Sequence, residues 1–358
     1  MINVTKTFLP PFEEYTAILK RAWDKAWLTN NGELVQELEQ KLKAYLEVPN
    51  LLFTGNGTIV LQMALKALNI TGEVITTPFS YVATTNAILW EGCQPVFVDI
   101  NPDTLCIDAT KIEAAITPKT QAILATHVYG IPCDVEAIDV IAKKYNLKVI
   151  YDAAHAFGVQ YKGKSLLSYG DISTCSFHAT KLFHTVEGGC VIANDDDIAR
   201  QLMLYRQFGH VYDEYFTMGI NGKNSELHAA MGLAVFPYIE ALIEERRHIC
   251  ETYSNALGSI FQMPVCPEDT LFNYAYYPVM FPSEITLLNA MKELKSHQIN
   301  GRRYFYPSLN QLPYLQQAAP CPISEAISRR VFCLPLYPGL EAGVINQIIQ
   351  IVLKYSSC

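Results

Sequence analysis

Short apolar runs alternate with longer amphipathic stretches over the first two-thirds of the chain. Runs such as Val149-Ile150-Tyr151 are apolar almost throughout, which is typical of strands covered on both faces. Between the runs, apolar residues recur at helical spacing, as Leu34, Leu38 and Leu42 do within Glu33–Leu46. The pattern predicts seven strands, at Leu51–Thr54, Glu73–Thr77, Pro95–Asp99, Ala122–Thr126, Lys148–Tyr151, Ile172–Ser176 and Gly189–Ala193.

This alternation predicts an α/β fold in which a mainly parallel sheet lies between helices. Two of the intervening helices have clear signatures: Ile59–Leu68 is apolar, and Asp134 is placed to cap a helix that carries Ile138 and Ile141. Ligands of such sheets bind beyond the carboxyl ends of the strands. We therefore expect the functional residues where strands end.

The strand–helix rhythm loosens in the last third of the chain. Residues 224–257 predict one long helix or a broken pair, and Ser283 begins another helix. Tyr274–Phe281, which includes Tyr276, and Cys333–Leu336 are predicted strands. We interpret residues 1–244 as a large α/β domain and residues 245–358 as a smaller α+β domain.

Composition excludes several classes of function. The formal net charge is -8 and no Lys/Arg block stands out, so a nucleic-acid partner is not expected. Ten scattered cysteines without a CxxC pair predict reduced thiols in a cytosolic protein. Met1 to Pro11 has no basic region followed by an apolar core, so we expect no signal peptide, and we expect no apolar run approaching the ~18 residues of a membrane span. No histidines pair at metal-ligand spacing, so no metal site is predicted.

A lysine and an aspartate indicate a specific cofactor chemistry. Asp152 follows the strand Lys148–Tyr151, and Lys181 lies in the turn Phe177-His178-Ala179-Thr180-Lys181. A pyridoxal phosphate enzyme needs an amine that forms an imine with the cofactor aldehyde, and an acid that keeps the pyridine nitrogen protonated. The pair therefore predicts pyridoxal 5′-phosphate, with Lys181 and Asp152 as catalytic residues.

Other side chains near strand ends suit the same cofactor. Gly57 and Thr58 stand in a turn that enters a helix, where backbone N–H groups favour a phosphate, and the Ser176 hydroxyl offers a further donor. Tyr81 follows a strand and is placed to lie flat on a planar ring. His155, after two alanines that let a flat ring approach, is placed to bond the ring O3′.

Plainer interpretations stay open for each of these residues. Most strand–glycine–helix turns are only turns, and Tyr81 is otherwise a core aromatic. Asp152 is otherwise a helix cap, and Lys181 a solvated turn lysine. Each motif alone is common, so none of them is informative by itself. Their order along the chain is what favours the cofactor.

Read together, the motifs resemble the DegT-type nucleotide-sugar aminotransferases, fold-type I pyridoxal phosphate enzymes of bacterial cell-surface and antibiotic sugars. The resemblance covers nearly the whole chain. The matching segments are Trp27-Leu28-Thr29-Asn30-Asn31-Gly32, Gly57-Thr58, Thr77-Pro78-Phe79-Ser80-Tyr81, Pro95-Val96-Phe97-Val98-Asp99, His127-Val128-Tyr129-Gly130, Asp152-Ala153-Ala154-His155, the lysine turn and Leu334-Pro335-Leu336-Tyr337-Pro338-Gly339.

The resemblance implies the same roles for Lys181, Asp152, His155, Tyr81, Gly57, Thr58 and Ser176, and it adds Asn221. Asn221 matches an asparagine that reaches the phosphate in the neighbouring subunit, which implies a homodimer with shared active sites. Lys223 stands where arginine is frequent in the family. The plain alternative is that Gly219–Lys223 is a surface hairpin turn.

Within the family, the chain most resembles enzymes that aminate dTDP-4-keto-6-deoxy-D-glucose at C4 with glutamate as donor, giving an O-antigen precursor. A 3-aminotransferase, or an enzyme of another UDP- or GDP-linked keto sugar, is the alternative. Related sugar dehydratases carry histidine at the lysine position, so Lys181 argues against that activity. A catalytically silent regulatory protein of the same fold is the alternative from another class.

Overall fold

A seven-stranded sheet forms the centre of the computed structural model, which describes residues 1–315 and 318–357. Its strand order is β1-β9-β8-β5-β4-β2-β3; β9 is antiparallel to both neighbours and the other pairs are parallel. The strands in chain order are β1 (Asn50–Thr54), β2 (Glu73–Thr76), β3 (Gln94–Phe97), β4 (Thr120–Thr126), β5 (Lys148–Asp152), β6 (Gln160–Tyr161), β7 (Lys164–Ser165), β8 (Ile172–Ser176), β9 (Gly189–Ala193), β10 (His210–Val211), β11 (Glu214–Tyr215), β12 (Thr270–Leu271), β13 (Pro278–Met280) and β14 (Val331–Cys333). The predicted α/β fold with a mainly parallel sheet is therefore confirmed.

Helices cover both faces of this sheet, and others pack in the C-terminal part of the chain. In chain order the helices are α1 (Phe12–Asp24), α2 (Glu33–Tyr45), α3 (Ile59–Ala67), α4 (Val82–Trp90), α5 (Ala109–Ile112), α6 (Val135–Tyr145), α7 (Asp196–Arg206), α8 (Glu226–Val235), α9 (Ile239–Leu257), α10 (Glu284–Ser296), α11 (Pro322–Arg330) and α12 (Ala342–Leu353). Short 3₁₀ turns lie at Glu113–Ala115, Val128–Gly130, Leu166–Ser168, Phe236–Tyr238 and Leu309–Gln311.

Side chains alternate between the two faces along each central strand, as the pleat requires. Ile123 and Val149 pack in one core with residues of α2, α6 and α8. Their chain neighbours Leu124 and Ile150 pack in another core with residues of α3, α4 and α7. Both faces of the sheet are therefore buried, which explains why the strands are apolar almost throughout.

The predicted helix starts are confirmed at their caps. Asp134 Oδ1 accepts a hydrogen bond from the Ala137 N–H at 3.0 Å. Ser283 forms a reciprocal capping box with Thr286 at the start of α10. These side chains satisfy N–H groups that the first helical turn leaves without partners.

Two strands predicted in the last third are largely wrong. Only Pro278–Met280 of Tyr274–Phe281 forms a strand, so Tyr276 lies in a loop. The Asn273 amide donates to the carbonyls of His155 and Phe157 at 2.9 Å each, and Tyr274 has a φ of 51°. Side-chain bonds therefore fix this loop in place of a sheet ladder. The predicted strand Cys333–Leu336 is shifted, because β14 ends at Cys333.

Residues 224–257 form the broken pair of helices, α8 and α9, with a 3₁₀ turn at Phe236–Tyr238 between them. The joined stretch Glu226–Leu257 is long and apolar enough, by length and composition, to span a membrane. The expectation that no stretch approaches that length is therefore corrected. It applied to uninterrupted apolar runs, whereas this stretch also contains polar residues. Half of its most apolar window is buried inside the fold, and α8 packs against α1 and α2.

A separate hydrophobic core forms in the C-terminal part, from Ile249 to Val352. The first residues of the chain join it: the Ile2 N–H donates to the Gln298 carbonyl, and the Leu336 N–H donates to the Val4 carbonyl. Helix α9 runs across the predicted boundary between residues 244 and 245. The division into two domains at that point stays a prediction.

Candidate active site

A cavity of about 320 Å³ lies at the carboxyl ends of the parallel strands. Thr126, Asp152 and Ser176, the last residues of β4, β5 and β8, all line it. The cavity brings together the predicted residues Gly57, Thr58, Tyr81, Asp152, His155, Ser176 and Lys181, and it leaves out Asn221. Because these residues span 125 positions of the chain, the strand order of the sheet is what assembles the site.

Two walls of this cavity have different origins. The strand-end wall consists of Gly57, Asp152, His155, Ser176 and Lys181, all within a few residues of the ends of β1, β5 and β8. The loop wall consists of Tyr276, Arg302, Tyr304 and Phe305, which come from the C-terminal third of the chain.

Asp152 is buried, with 5% of its surface exposed, and its carboxylate faces a chain of hydroxyls. Its Oδ2 accepts from the Thr84 hydroxyl at 2.7 Å and its Oδ1 from the Ala154 N–H at 3.1 Å. Ser80 links Thr84 and Thr126 at 2.7 and 2.9 Å. Burial raises the pKa of Asp152, whereas the Thr84 and Ala154 bonds and the charge of Lys181 lower it. The carboxyl group is thus fixed, and a cation in the cavity would favour its charged form.

The Lys181 amine projects into the same cavity, and its Nζ donates to the Tyr276 hydroxyl at 3.2 Å. Among residues 1–315 and 318–357 no carboxylate forms an ion pair with this amine. Burial lowers the pKa of Lys181, while the charge of Asp152 raises it. A lysine of this kind is more often neutral than a surface lysine and is therefore more nucleophilic.

The protonation of His155 follows from its contacts. Its Nδ1 accepts from the Tyr129 N–H at 3.1 Å, and burial lowers the pKa of the imidazole. A neutral imidazole that accepts at Nδ1 carries its proton on Nε2. The ring stacks on Phe305 at a centroid distance of 5.6 Å and an interplanar angle of 4°. His155 therefore offers one oriented N–H donor at the cavity.

Gly57 lies against Ser176. A Cβ atom at Gly57 would meet Ser176 Cβ at 2.7 Å and Oγ at 3.0 Å, so only glycine fits without displacement. The N–H groups of Thr58 and Ile59 donate to Asn56 Oδ1 at 2.9 Å each. Asn56 thus satisfies two backbone N–H groups of the turn that the sequence suggested for a phosphate. The hydroxyls of Thr58 and Ser176 remain as donors at the corner of the cavity where Gly57 meets Ser176.

Tyr81 stands at the N-terminus of α4 with 53% of its surface exposed, so it is not a core aromatic. Its ring lines the cavity opening beside Ser80 and Ala83. Stacking on a planar ligand stays a prediction.

Asn221 is exposed and lies outside this chain's cavity, in a loop that follows the exposed hairpin β10–β11. The Gly55 N–H donates to the Gly222 carbonyl at 3.0 Å, which joins the loop to the turn before α3. Lys223 Nζ lies 4.8 Å from the centre of the Phe208 ring. A role for Asn221 in a neighbouring subunit stays a prediction.

Sequence reasoning missed the whole loop wall. The sequence pattern places Tyr276 in a strand and gives Arg302 no role, although Arg302-Arg303-Tyr304-Phe305-Tyr306 is an unusual cationic and aromatic cluster. Thr84, the hydroxyl partner of Asp152, was also missed. The segments that carry Tyr276 and Arg302 do not follow a strand of the central sheet in the chain. Their cationic and aromatic composition was therefore the one signal in the sequence that could have placed them at the site.

Comparison with known proteins places this geometry in a family. Residues 12–353 match the model of the DegT/DnrJ/EryC1/StrS aminotransferase family. A dTDP-4-amino-4,6-dideoxy-D-glucose transaminase of Shigella dysenteriae is 41% identical over 359 residues, covering 98% of each chain.

Two solved structures agree with the fold along nearly the whole chain. The structure of DesI in the presence of its TDP-sugar product superposes with a TM-score of 0.93 at 32% identity, covering 99% of this chain and 93% of the other. NtdA from Bacillus subtilis, solved with bound cofactor PMP, superposes with a TM-score of 0.89 at 28% identity, covering 96% and 81%. With its match over residues 12–353, the chain belongs to the DegT/DnrJ/EryC1/StrS aminotransferase family and is an aminotransferase.

Proposed function

We propose that this enzyme uses pyridoxal 5′-phosphate to transfer the amino group of L-glutamate to a nucleotide-linked keto sugar. The observation that supports the chemistry is the shared cavity, in which the free amine of Lys181 and the buried carboxylate of Asp152 face the same space. The sugar we propose is dTDP-4-dehydro-6-deoxy-D-glucose, giving dTDP-4-amino-4,6-dideoxy-D-glucose. Support for that choice is the 41% identity to the Shigella enzyme over almost the full length of both chains.

The residues of the strand-end wall fit the cofactor. Gly57 lets Ser176 pack closely against the turn, and the hydroxyls of Ser176 and Thr58 line the same cavity, where we propose that the phosphate lies. Asp152 is placed to hold a protonated ring nitrogen, and Lys181 to bind the aldehyde carbon. When bound, the cofactor supplies an electron sink for the carbon that loses or gains a proton.

Each side chain then has a defined task. The lowered pKa of Lys181 leaves its amine able to take a proton and return it at the reacting carbon. The Thr84 and Ala154 bonds fix the Asp152 carboxyl group and favour its charged form against the effect of burial, and the carboxylate is placed to stabilise positive charge on the ring nitrogen. The Nε2–H of His155 is placed to donate to an oxygen of the ring, since its Nδ1 is held by Tyr129.

Arg302 supplies a cation on the opposite side of the cavity. Its guanidinium lies 4.8 Å from the centre of the Tyr304 ring, and no carboxylate pairs with it in the part of the chain that the structure describes. Both substrates carry anionic groups, a carboxylate on glutamate and a diphosphate on the nucleotide sugar. Arg302 is the residue we propose for one of them.

The site we propose is completed by a second copy of the chain in a cytoplasmic homodimer that makes a precursor of surface polysaccharide. Asn221 is exposed and absent from its own cavity, which suits a residue of the partner's site. Mixing Lys181→Ala with Asn221→Glu subunits tests this, because a heterodimer would contain one site with both defects and one intact site. Activity should return on mixing; verified subunit exchange without activity would place Asn221 outside the site.

The identity of the sugar is tested with a panel of dTDP-, UDP- and GDP-linked 3-keto and 4-keto sugars, each assayed with glutamate. The product of the best substrate is then assigned by NMR. We expect amination at C4 of the dTDP-linked 4-keto sugar with the highest kcat/KM. Higher kcat/KM for a 3-keto or a GDP-linked sugar would replace this substrate and leave the transfer chemistry intact, whereas no turnover across the panel would favour a silent protein of the same fold.

A further inference from the structure

One contact in the cavity joins the two walls directly. The Tyr276 hydroxyl accepts from Lys181 Nζ at 3.2 Å, and it is the one hydrogen-bond partner that this amine has within residues 1–315 and 318–357. The Tyr276 ring lies 4.6 Å from the His155 ring and packs edge-on against Tyr304 at 5.6 Å. The phenol thus stands between the lysine and the loop wall.

The loop that carries Tyr276 is fixed by side-chain bonds to the residues just before it. Asn273 donates to the carbonyls of His155 and Phe157, and its Oδ1 accepts from the Ala275 N–H at 3.1 Å. Arg246 Nη1 also donates to the carbonyls of Ala275 and Leu336 at 3.3 and 3.1 Å. The backbone before Tyr276 is therefore tied to the strand-end wall and to helix α9.

Arg246, which holds this loop, is an unusual residue to find buried. It is 4% exposed, and among the described residues no carboxylate forms an ion pair with it. Burying a charge whose partners are only carbonyls costs free energy of desolvation. Its contacts hold the loop that places Tyr276, which indicates that the position of Tyr276 matters.

We propose that Tyr276 is a positioning residue of the catalytic centre, whose hydroxyl holds the free amine of Lys181 at the place where that amine must react. This inference rests on the proposed function. In each catalytic cycle the Lys181 amine has to be released from the cofactor and then react again. A fixed hydrogen-bond partner keeps the released amine near the reactive geometry, which lowers the entropic cost of that reaction. A phenol suits this role, because it accepts from an ammonium and also donates to a neutral amine.

The protonation of the amine depends on several groups around it, so the effect of Tyr276 has to be separated from theirs. Burial raises the pKa of Tyr276, which therefore stays a neutral phenol over the working range. The titratable groups that face Lys181 from the elements packed around it are Tyr81, Asp152, His155, Cys175, Tyr276 and Tyr304, and the same cavity is also lined by His178, Glu187 and Arg302. Tyr276→Phe changes one of these and keeps the ring contacts with His155 and Tyr304.

The test follows cofactor uptake by the full-length protein after removal of cofactor. Pyridoxal 5′-phosphate is added between about pH 6 and pH 10, and the growth of visible absorbance gives a rate at each pH. Uptake needs the unprotonated amine, so the rate rises with pH through the pKa of Lys181. A bond to an ammonium is stronger than one to a neutral amine, so losing the hydroxyl lowers that pKa.

The midpoint in Tyr276→Phe should fall by about one pH unit, a tenfold change in the protonation equilibrium. In steady-state transamination, kcat should fall about tenfold or more, with both KM values within about threefold of wild type. Tyr277→Phe is the matched control: it loses a neighbouring phenol hydroxyl, which contacts Ser254 at 3.2 Å in the C-terminal core. We expect wild-type values for this control.

An unshifted midpoint in Tyr276→Phe, with wild-type uptake intact, would overturn the role of Tyr276 even if kcat falls, because a packing defect would lower kcat alone. Melting temperatures of both variants establish that they are folded. Failure of the wild type to bind the cofactor would instead contradict the proposed function, and the role of Tyr276 with it.

Discussion

The strand-end wall and the loop wall of the cavity come from different parts of the chain, and different interactions fix their positions. The strand-end wall is fixed by the central sheet: Asp152 and Ser176 end β5 and β8, two neighbouring parallel strands. The loop wall is held by side-chain bonds to carbonyls, such as those of Asn273 and Arg246. The groups that we propose to react lie on the strand-end wall, and those that we propose to orient them or to meet substrate lie on the loop wall, whose loops can vary without disturbing the sheet.

The largest effect is expected at Lys181 on the strand-end wall. Lys181→Ala removes the amine that binds the cofactor and moves the proton, so turnover should be abolished. We expect any retained cofactor to be held only through its other contacts, without the visible absorbance that the lysine confers. Lys181→Arg should fail as well, because a guanidinium is a poor nucleophile and stays charged near neutral pH. Near-normal transamination in either variant would remove Lys181 from the chemistry.

Asp152→Asn is expected to have the next largest effect. The amide keeps the shape of the side chain but removes the charge that stabilises a protonated ring nitrogen. We expect kcat to fall on the order of a hundredfold, the size typical of one preorganised electrostatic contact. The amide has one acceptor oxygen, so it can keep only one of the bonds from Thr84 and Ala154 as they stand, and a melting temperature establishes that the variant is folded. An unchanged kcat would mean that Asp152 is only a structural cap.

Gly57→Ala tests whether the cofactor corner depends on close packing. The new Cβ would meet Ser176 at 2.7 Å, so Ser176 or the turn must move. We expect the dissociation constant of the cofactor to rise about tenfold, the loss of about 1.4 kcal/mol of binding free energy. Gly55→Ala is the matched control, because the nearest atom to its Cβ, the Lys223 carbonyl oxygen, lies at 3.8 Å. Equal affinity in the two variants would show that the corner does not hold the phosphate.

The smallest effect is expected on the loop wall, at Arg302. Arg302→Gln removes a cation that is open to solvent, so the KM of one anionic substrate should rise about tenfold or less while kcat stays within about threefold. Measuring KM for glutamate and for the nucleotide sugar separately identifies which anion it contacts. Arg200→Gln, an exposed arginine of α7 outside the cavity, is the control. Unchanged KM values for both substrates would leave Arg302 without a role in binding.

The sheet and the strand-end wall could be predicted from the sequence because local patterns determine them. Val149-Ile150-Tyr151 is apolar throughout since both faces of β5 are buried, and Asp152 follows directly. Tyr276 could not be placed in this way. The run from Tyr274 to Phe281 is rich in residues favoured in strands, but contacts of Asn273 with residues more than a hundred positions earlier decide its conformation. Such long-range contacts leave no periodic signal in the sequence.

The central claim is that Lys181 binds an aldehyde cofactor which accepts an amino group from glutamate. The most direct test is the absorption spectrum of the purified protein, saturated with pyridoxal 5′-phosphate, before and after addition of L-glutamate. We predict a visible band that disappears with glutamate and returns when dTDP-4-dehydro-6-deoxy-D-glucose is added. A visible band that glutamate leaves unchanged, or the same spectrum from Lys181→Ala, would contradict the account.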